Sequence, residues 1–179
     1  MQPGSDLFKH LLMQDTPVGS LLLSASAEGI TALTFLPAGA EPPDLVEQSP
    51  RQQQTDGSLL QEAASQLRDY FAGKRKAFNL PLDLSTLPLF TRAVLEQARS
   101  ISRGEVVSYG AMARLLGKPG AARAVGGAMA RNPIPIIIPC HRVVASDGRL
   151  HGYSSPGGIA LKELLLQLEG VQVEAGRVI

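Results

Sequence analysis

Cysteine is almost missing from this sequence: the 179 residues include one, Cys140. A single thiol closes no internal disulfide and supplies no multi-cysteine zinc site. Cys140 is therefore either apolar filler in a core, the commoner use, or a reactive nucleophile, and no metal is expected. No apolar run approaches the roughly 20 residues needed to cross a bilayer. Met1 to Lys9 also lacks the charged, apolar and small-residue regions of a secretory signal, so a cytoplasmic protein without a membrane partner is expected. Excess charge of one sign is small too, at +1 net, but its placement is uneven. Met1 to Leu87 carries six Lys/Arg against ten Asp/Glu, a net of −4, while Pro88 to Gly170 carries ten against five, a net of +5. Either the second half faces a polyanion or the surface charge varies by chance. What the chain does have is apolar content, 44%, enough for one sizeable core or two small ones and too much for disorder.

The hydrophobic pattern changes character along the chain. Between Leu7 and Leu36, Leu21 and Leu23 alternate with small polar residues. Thr16-Pro17-Val18-Gly19 and Ala27-Glu28-Gly29 punctuate the run, which predicts a small antiparallel sheet. Pro37 to Gly57, rich in Pro, Gln, Asp and Glu, reads as a surface loop. Ser58 and Gln61 form a capping pair ahead of Leu59, Leu60, Ala63, Leu67, Tyr70 and Phe71 at helical spacing, so a helix packs on the sheet. From Pro88 the pattern is helical. Phe90, Val94, Leu95, Ala98 and Ile101 share one helix face; Ser108 caps a short helix through Leu116; Gly117-Lys118-Pro119-Gly120 breaks it; Ala121 to Ala130 forms another. Two short helices across a tight turn make either a DNA-binding helix-turn-helix or an ordinary helical hairpin. Asn132-Pro133-Ile134-Pro135 then forces an extended path, and buried Ile136-Ile137-Ile138 delivers Pro139-Cys140-His141-Arg142. A last helix carries Leu161, Leu164, Leu165 and Leu168, and a short strand-like tail closes the chain. The expected class is α+β, a sheet-and-helix lobe over residues 1–84 and a mostly helical lobe over residues 85–179.

A free thiol is only a few per cent thiolate at neutral pH, so a nucleophilic cysteine needs a base or a positive charge nearby. His141 adjoins Cys140 in sequence, but an extended chain would turn the two side chains to opposite faces. A bend or a bridging water must connect them. A histidine base also needs an acidic partner to fix its tautomer, and Glu169 at the end of the last helix is the candidate.

The run Pro139-Cys140-His141-Arg142-Val143, with Asn132-Pro133, Arg123-Ala124-Val125-Gly126-Gly127-Ala128 and Gly104-Glu105-Val106-Val107-Ser108-Tyr109 before it, resembles the signature of the O6-alkylguanine-DNA alkyltransferases. The likeness extends from about Phe90 to Gly170, nearly half the chain. The N-terminal lobe is more weakly similar to the family's ribonuclease-H-like lobe. A related non-enzymatic group carries tryptophan in place of the cysteine, so Cys140 implies activity. The resemblance implies repair of O6-alkylguanine in double-stranded DNA by irreversible, single-turnover alkyl transfer to Cys140, with O4-alkylthymine as a further candidate substrate and no cofactor. It gives His141 the role of base, Glu169 that of its orienter, Asn132 that of a brace for the active-site turn, and Tyr109 that of a donor to the purine N3. The backbone carbonyls of Cys140 and Val143 would accept from the guanine amino group, and Pro135, Met129 and Tyr153 would line the pocket. DNA would be met through the minor groove by Ala121, Ala122 and Gly126 with Arg142, while Arg123 enters the stack vacated by the rotated base.

One departure bears on the pocket. Tyr153-Ser154-Ser155-Pro156-Gly157-Gly158 is two residues longer than the family's Tyr-x-Gly-Gly, so the backbone N–H offered to the guanine oxygen is assigned to Ser154, with Ser155 in reserve, because Pro156 has none. A monomer in solution is expected, with cooperative assembly on DNA left open. The competing readings are a helix-turn-helix regulator with a cysteine sensor and a Cys-His-Glu hydrolase, the latter without an obvious oxyanion hole.

Overall fold

The computed structural model describes residues 9–37 and 59–179. The expected loop after Pro37, and Ser58 of the capping pair, lie outside them. The chain divides into two compact units, Met1–Ser85 and Thr86–Ile179.

In the first unit, strands β1 (Lys9–Thr16), β2 (Gly19–Ala25) and β3 (Ile30–Leu36) form an antiparallel sheet in that order. The register sets Met13 opposite Leu21, Leu21 opposite Phe35 and Leu23 opposite both Leu11 and Leu33. With a side-chain period of two, Leu21, Leu23, Leu33 and Phe35 fall on one buried face. Helix α1 (Leu59–Phe71) covers it with Leu60, Ala63, Ala64, Leu67 and Tyr70. Buried Gln66 stands in for a strand edge: its amide donates to the Asn79 carbonyl at 3.1 Å and its oxygen accepts from the Asn79 N–H at 2.9 Å. Gly29 is required by close approach, since a Cβ there would lie 2.8 Å from the Pro81 carbonyl oxygen.

The second unit starts with α2 (Leu89–Arg99), which buries Thr91, Val94, Leu95 and Ala98. Phe90, expected on that face, is only half-buried. A short strand, β4 (Val107–Ser108), leads into α3 (Tyr109–Leu115), capped by Ser108 Oγ accepting from the Ala111 N–H at 3.1 Å. After the glycine-proline turn comes α4 (Ala122–Ala130). A 3₁₀ turn at Cys140–Arg142 runs into β5 (Val143–Val144), which pairs in parallel with β4. That two-residue ladder, not foreseen in the sequence, ties the start of α3 to the chain that follows Cys140.

Helix α5 (Gly158–Leu168) buries Leu161, Lys162, Leu165 and Leu166. Leu164, expected inside, is 36% exposed. The inward stripe runs through 161, 162, 165, 166 and 169, one residue removed around the helix from the stripe that leucines alone suggest. Gly157 precedes it because a Cβ there would meet Leu161 Cβ at 2.6 Å. Strands β6 (Val173–Glu174) and β7 (Arg177–Val178) form the closing hairpin, and Val144, Leu150, Leu166 and Val171 make a core beneath it. No helix among the described residues is long and apolar enough to cross a membrane.

Candidate active site

The path from α4 to Cys140 is built by hydrogen bonds from one side chain. Asn132 Nδ2 donates to the Ile138 carbonyl at 2.9 Å, while its Oδ1 accepts from the Ile134 N–H at 3.0 Å. The intervening segment is compact rather than extended: Ile138 N–H donates to the Ile134 carbonyl, and Ile136 is held at φ 71°, a left-handed conformation costly for a β-branched residue. Ile134, Ile136 and Ile138 are fully buried, so packing and Asn132 together fix the approach. The chain then enters the 3₁₀ turn, which steps side chains round by a third of a turn per residue. This is the bend that adjacency of Cys140 and His141 requires.

Cys140 is 7% exposed and faces a cavity of about 440 Å³. Tyr109, Gly126, Met129 and Ala130 line one side, and His151, Gly152, Tyr153 and Ser154 the other. Gly126 lies against the Tyr109 ring: a Cβ there would sit in ordinary van der Waals contact with it, at 3.8 Å. Ser155 and Pro135 are not among the lining residues, and Val143 is fully buried. The two carbonyls expected to read the base each hold a partner: Cys140 O accepts from the Val143 N–H, and Val143 O accepts from Lys162 Nζ at 2.7 Å. A carbonyl oxygen has a second lone pair, so both keep acceptor capacity.

His141 is fully buried, with Nε2 2.9 Å from Glu169 Oε1. Glu169, the C-cap of α5 and 7% exposed, also accepts from Arg142 Nε at 2.8 Å and Nη2 at 2.7 Å, while Arg142 Nη1 donates to the Ile101 carbonyl. This corrects the expectation for Arg142. At 4% exposure it is the counter-ion of Glu169, turned inward because it sits two steps along the 3₁₀ turn from Cys140, and it presents no charge to a ligand outside. Arg123 is exposed, without a partner among the described residues, and Ala121 and Ala122 are half-buried.

Protonation follows from this packing. Burial pushes His141 below its ordinary value, helped by the Arg142 and Lys162 charges and opposed by Glu169. At neutral pH the imidazole is therefore uncharged. With Nε2–H donated to the Glu169 carboxylate, the lone pair lies on Nδ1, which is buried and has no partner. Burial pushes the Cys140 thiol up, against hydrogen bonds from Asn132 and Tyr153 and the charge of Lys162. The resting pair is thiol and neutral imidazole, so the sulfur becomes a nucleophile only as its proton leaves. Burial, and then Cys140, also raise Tyr109, so its phenol holds its proton.

Sequence reasoning missed Lys162, His151, Gly152 and Ala130. For Lys162 the signal was its place beside Leu161 on the inward stripe, and for Gly152 its adjacency to Tyr153; for the other two, only proximity in the fold brings them to the cavity. Among the described residues no cluster of three His, Cys, Asp or Glu is arranged to hold a metal.

A cavity-facing thiol followed in the same turn by a buried, carboxylate-bonded histidine, on a unit whose two short packed helices carry an exposed arginine, defines a class: proteins that present a single cysteine to a cavity from a mostly helical unit. Comparison with known proteins names the lineage. Residues 89–171 match the family described as 6-O-methylguanine DNA methyltransferase, DNA binding domain, and residues 8–84 match its ribonuclease-like domain. Proteins named methylated-DNA–protein-cysteine methyltransferase are similar over most of their length. That of Mycobacterium leprae is 42% identical, covering 92% of this chain and 94% of its own. That of Homo sapiens is 40% identical, covering 87% and 78%. Among solved structures, the Mycobacterium tuberculosis OGT in complex with DNA superposes with a TM-score of 0.72 at 39% identity, covering 91% of this chain and 92% of that one. The chain belongs to the 6-O-methylguanine DNA methyltransferase family.

Proposed function

We propose that this protein repairs double-stranded DNA by taking the alkyl group from the O6 oxygen of guanine onto Cys140, once per molecule. The observation that carries the proposal is the buried His141, uncharged, bonded through Nε2 to Glu169 and left with an unpartnered Nδ1 beside a cavity-facing thiol. A water bridging Nδ1 and the thiol passes the proton to His141 as sulfur attacks the alkyl carbon. The carbon–O6 bond breaks, its electron pair stays on the purine, and the proton lost by the thiol is regained by the guanine. Tyr109, protonated and on the cavity wall, is the donor toward N3. Ser154 offers its backbone N–H to O6; its place on the lining, from which Ser155 is absent, supports the first choice over the reserve. The product is a thioether, and one cysteine leaves no second thiol to reverse it.

In a duplex the lesion is stacked, so it enters the cavity only after rotating out of the helix. Small residues at and along the start of α4, the N-cap Ala121 with Ala122 and Gly126, suit close approach in the minor groove, and exposed Arg123 fills the vacated space. The mycobacterial relative solved with DNA supports DNA as the partner.

The test is intact-protein mass after incubation with duplex DNA containing O6-methylguanine. Wild type gains the mass of one methyl group, and Cys140→Ser gains none while still binding DNA. A protein that binds DNA without gaining mass is a regulator; one that turns over repeatedly is a hydrolase.

A further inference from the structure

The cavity wall that carries Ser154 begins on the closing hairpin. Leu150 belongs to the core beneath that hairpin, its N–H donates to the Gly176 carbonyl at 2.8 Å, and Arg149 bridges to Arg177. Val178 N–H donates to the Gly148 carbonyl at 3.0 Å, and a Cβ on Gly148 would meet the Val178 carbonyl oxygen at 2.9 Å, so hairpin and loop fit closely. Along Arg149-Leu150-His151 the side chains are exposed, buried and exposed, the alternation of an extended chain. Leu150 enters the core, so His151 is turned away from it, onto the cavity. Gly152 follows at φ 47°, a left-handed conformation that ends the extended run. His151 thus stands between an anchored leucine and a turning glycine, held to one place along the wall.

Its imidazole is not spent elsewhere. Among the described residues His151 has no hydrogen-bond or ion-pair partner. The side chains that act on the Cys140 thiol are Asn132, Tyr153 and Lys162, and those that act on His141 are Glu169, Arg142 and Lys162; His151 is in neither set and has no part in the proton path. In the proposed reaction the polar edge of the purine is assigned as well, O6 to the Ser154 N–H, N3 to Tyr109 and the amino group to the Cys140 and Val143 carbonyls. What has no partner is the alkyl group beyond its first carbon. At about 440 Å³ the cavity falls in the range, about 300–1,000 Å³, of pockets that enclose drug-sized ligands, so it has room for more than a methyl group on the base.

We infer that His151 is a specificity-determining residue that reads the far end of the alkyl group, donating a ring N–H to an oxygen there and extending the substrate class to O6-alkylguanines whose alkyl chain ends in a carboxylate or another oxygen acceptor. The inference rests on alkyl transfer to Cys140 as the chemistry of the site. An imidazole carries at least one N–H in every protonation state it adopts in water. On the other side of the cavity, Gly126, Met129 and Ala130 have no side-chain donor, and Tyr109 and Tyr153 are engaged with N3 and the thiol. Without His151 a terminal carboxylate would give up water for no partner, which is costly. Transfer of the shortest such group, carboxymethyl, forms the bond from sulfur to the methylene carbon and breaks the carbon–O6 bond, as for methyl. The electron pair stays on the purine, the guanine regains the proton lost by the thiol, and the carboxylate passes to the protein unchanged.

The experiment uses duplexes of one sequence carrying O6-methyl-, O6-carboxymethyl- or O6-isobutylguanine, isobutyl having the shape of carboxymethyl without its oxygens. Wild type, His151→Leu and His151→Gln are compared by single-turnover transfer, read as the mass gained on Cys140, and by DNA affinity. His151 is exposed, so both variants fold as wild type does. His151→Leu is expected to slow carboxymethyl transfer by about tenfold or more while leaving methyl transfer, isobutyl transfer and DNA affinity unchanged, and His151→Gln, which keeps an N–H donor, to recover part of the loss. Equal losses on all the duplexes, or a loss that tracks weaker DNA binding, would overturn the inference and make His151 a contact to the DNA backbone. Carboxymethyl transfer indifferent to both substitutions would overturn it too. Wild type that takes up methyl but no carboxymethyl overturns this inference alone, whereas wild type that takes up no methyl overturns the proposed function and this inference with it.

Discussion

At the scale of single residues, His141, Glu169 and Arg142 form a chain of obligations in which each group fixes the next. Arg142 holds both carboxylate oxygens of Glu169, which keeps the carboxylate turned to accept from His141 Nε2. Removing the base and removing its orienter should therefore have different signatures. His141→Ala loses the proton acceptor, and transfer should slow by about 10²–10⁴-fold with little change in DNA binding. Glu169→Gln should also slow transfer, but it leaves the buried Arg142 guanidinium without its counter-ion, a defect that typically costs about 3–5 kcal/mol. Rapid-quench transfer assays at a temperature where both variants stay folded, together with denaturant titrations, check the two parts. Wild-type rates in both variants would remove the relay. Cysteine, histidine and glutamate could be read from the sequence because motif and chemistry agree on them. Arg142 and Lys162 could not: the resemblance placed Arg142 against DNA while the 3₁₀ turn carries it inward to Glu169, and leucine spacing hid a lysine inside the apolar stripe of α5.

At the scale of elements, the site depends on two turns and a ladder more than on its helices. The helices were legible because their apolar periodicity and the Ser108 cap are local signals. The β4–β5 pairing was not, since two residues on each side carry no detectable period. The α4 helix makes the sharpest test at this scale. Arg123 projects from its first turn without a partner among the described residues. If it enters the duplex where the base has left, Arg123→Ala should slow repair of duplex DNA while leaving reaction with free O6-benzylguanine intact, because a free base need not be extruded. The deficit should shrink when the lesion sits in a mismatch that costs less to unstack. Competition kinetics on the three substrates would check this. Equal losses on free base and duplex, or a loss reversed simply by low salt, would reduce Arg123 to a phosphate contact.

At the scale of the whole molecule, the division into two units separates what acid does to the site from what it does to the rest. His141 lies in the second unit with its pKa held below the ordinary 6.5. In the unfolded chain it binds a proton at pH values where the folded protein does not. The unfolded state therefore takes up more protons as pH falls through 6.5, and stability falls with it. The stability given by the neutral histidine is fully present above about 6.5 and drains away toward the depressed folded value. This window lies above the range in which ordinary carboxylates titrate. Hydrogen exchange between pH 7.5 and 5.5 should show amides of β5, α5 and the Cys140 turn losing protection relative to those of β1 to β3, after correction for intrinsic exchange rates. In His141→Gln, which has no proton to gain, the difference should vanish. If the two units lose protection equally in wild type, or if the glutamine variant keeps the same acid response, the neutral buried histidine on which the proposed proton path depends would be refuted.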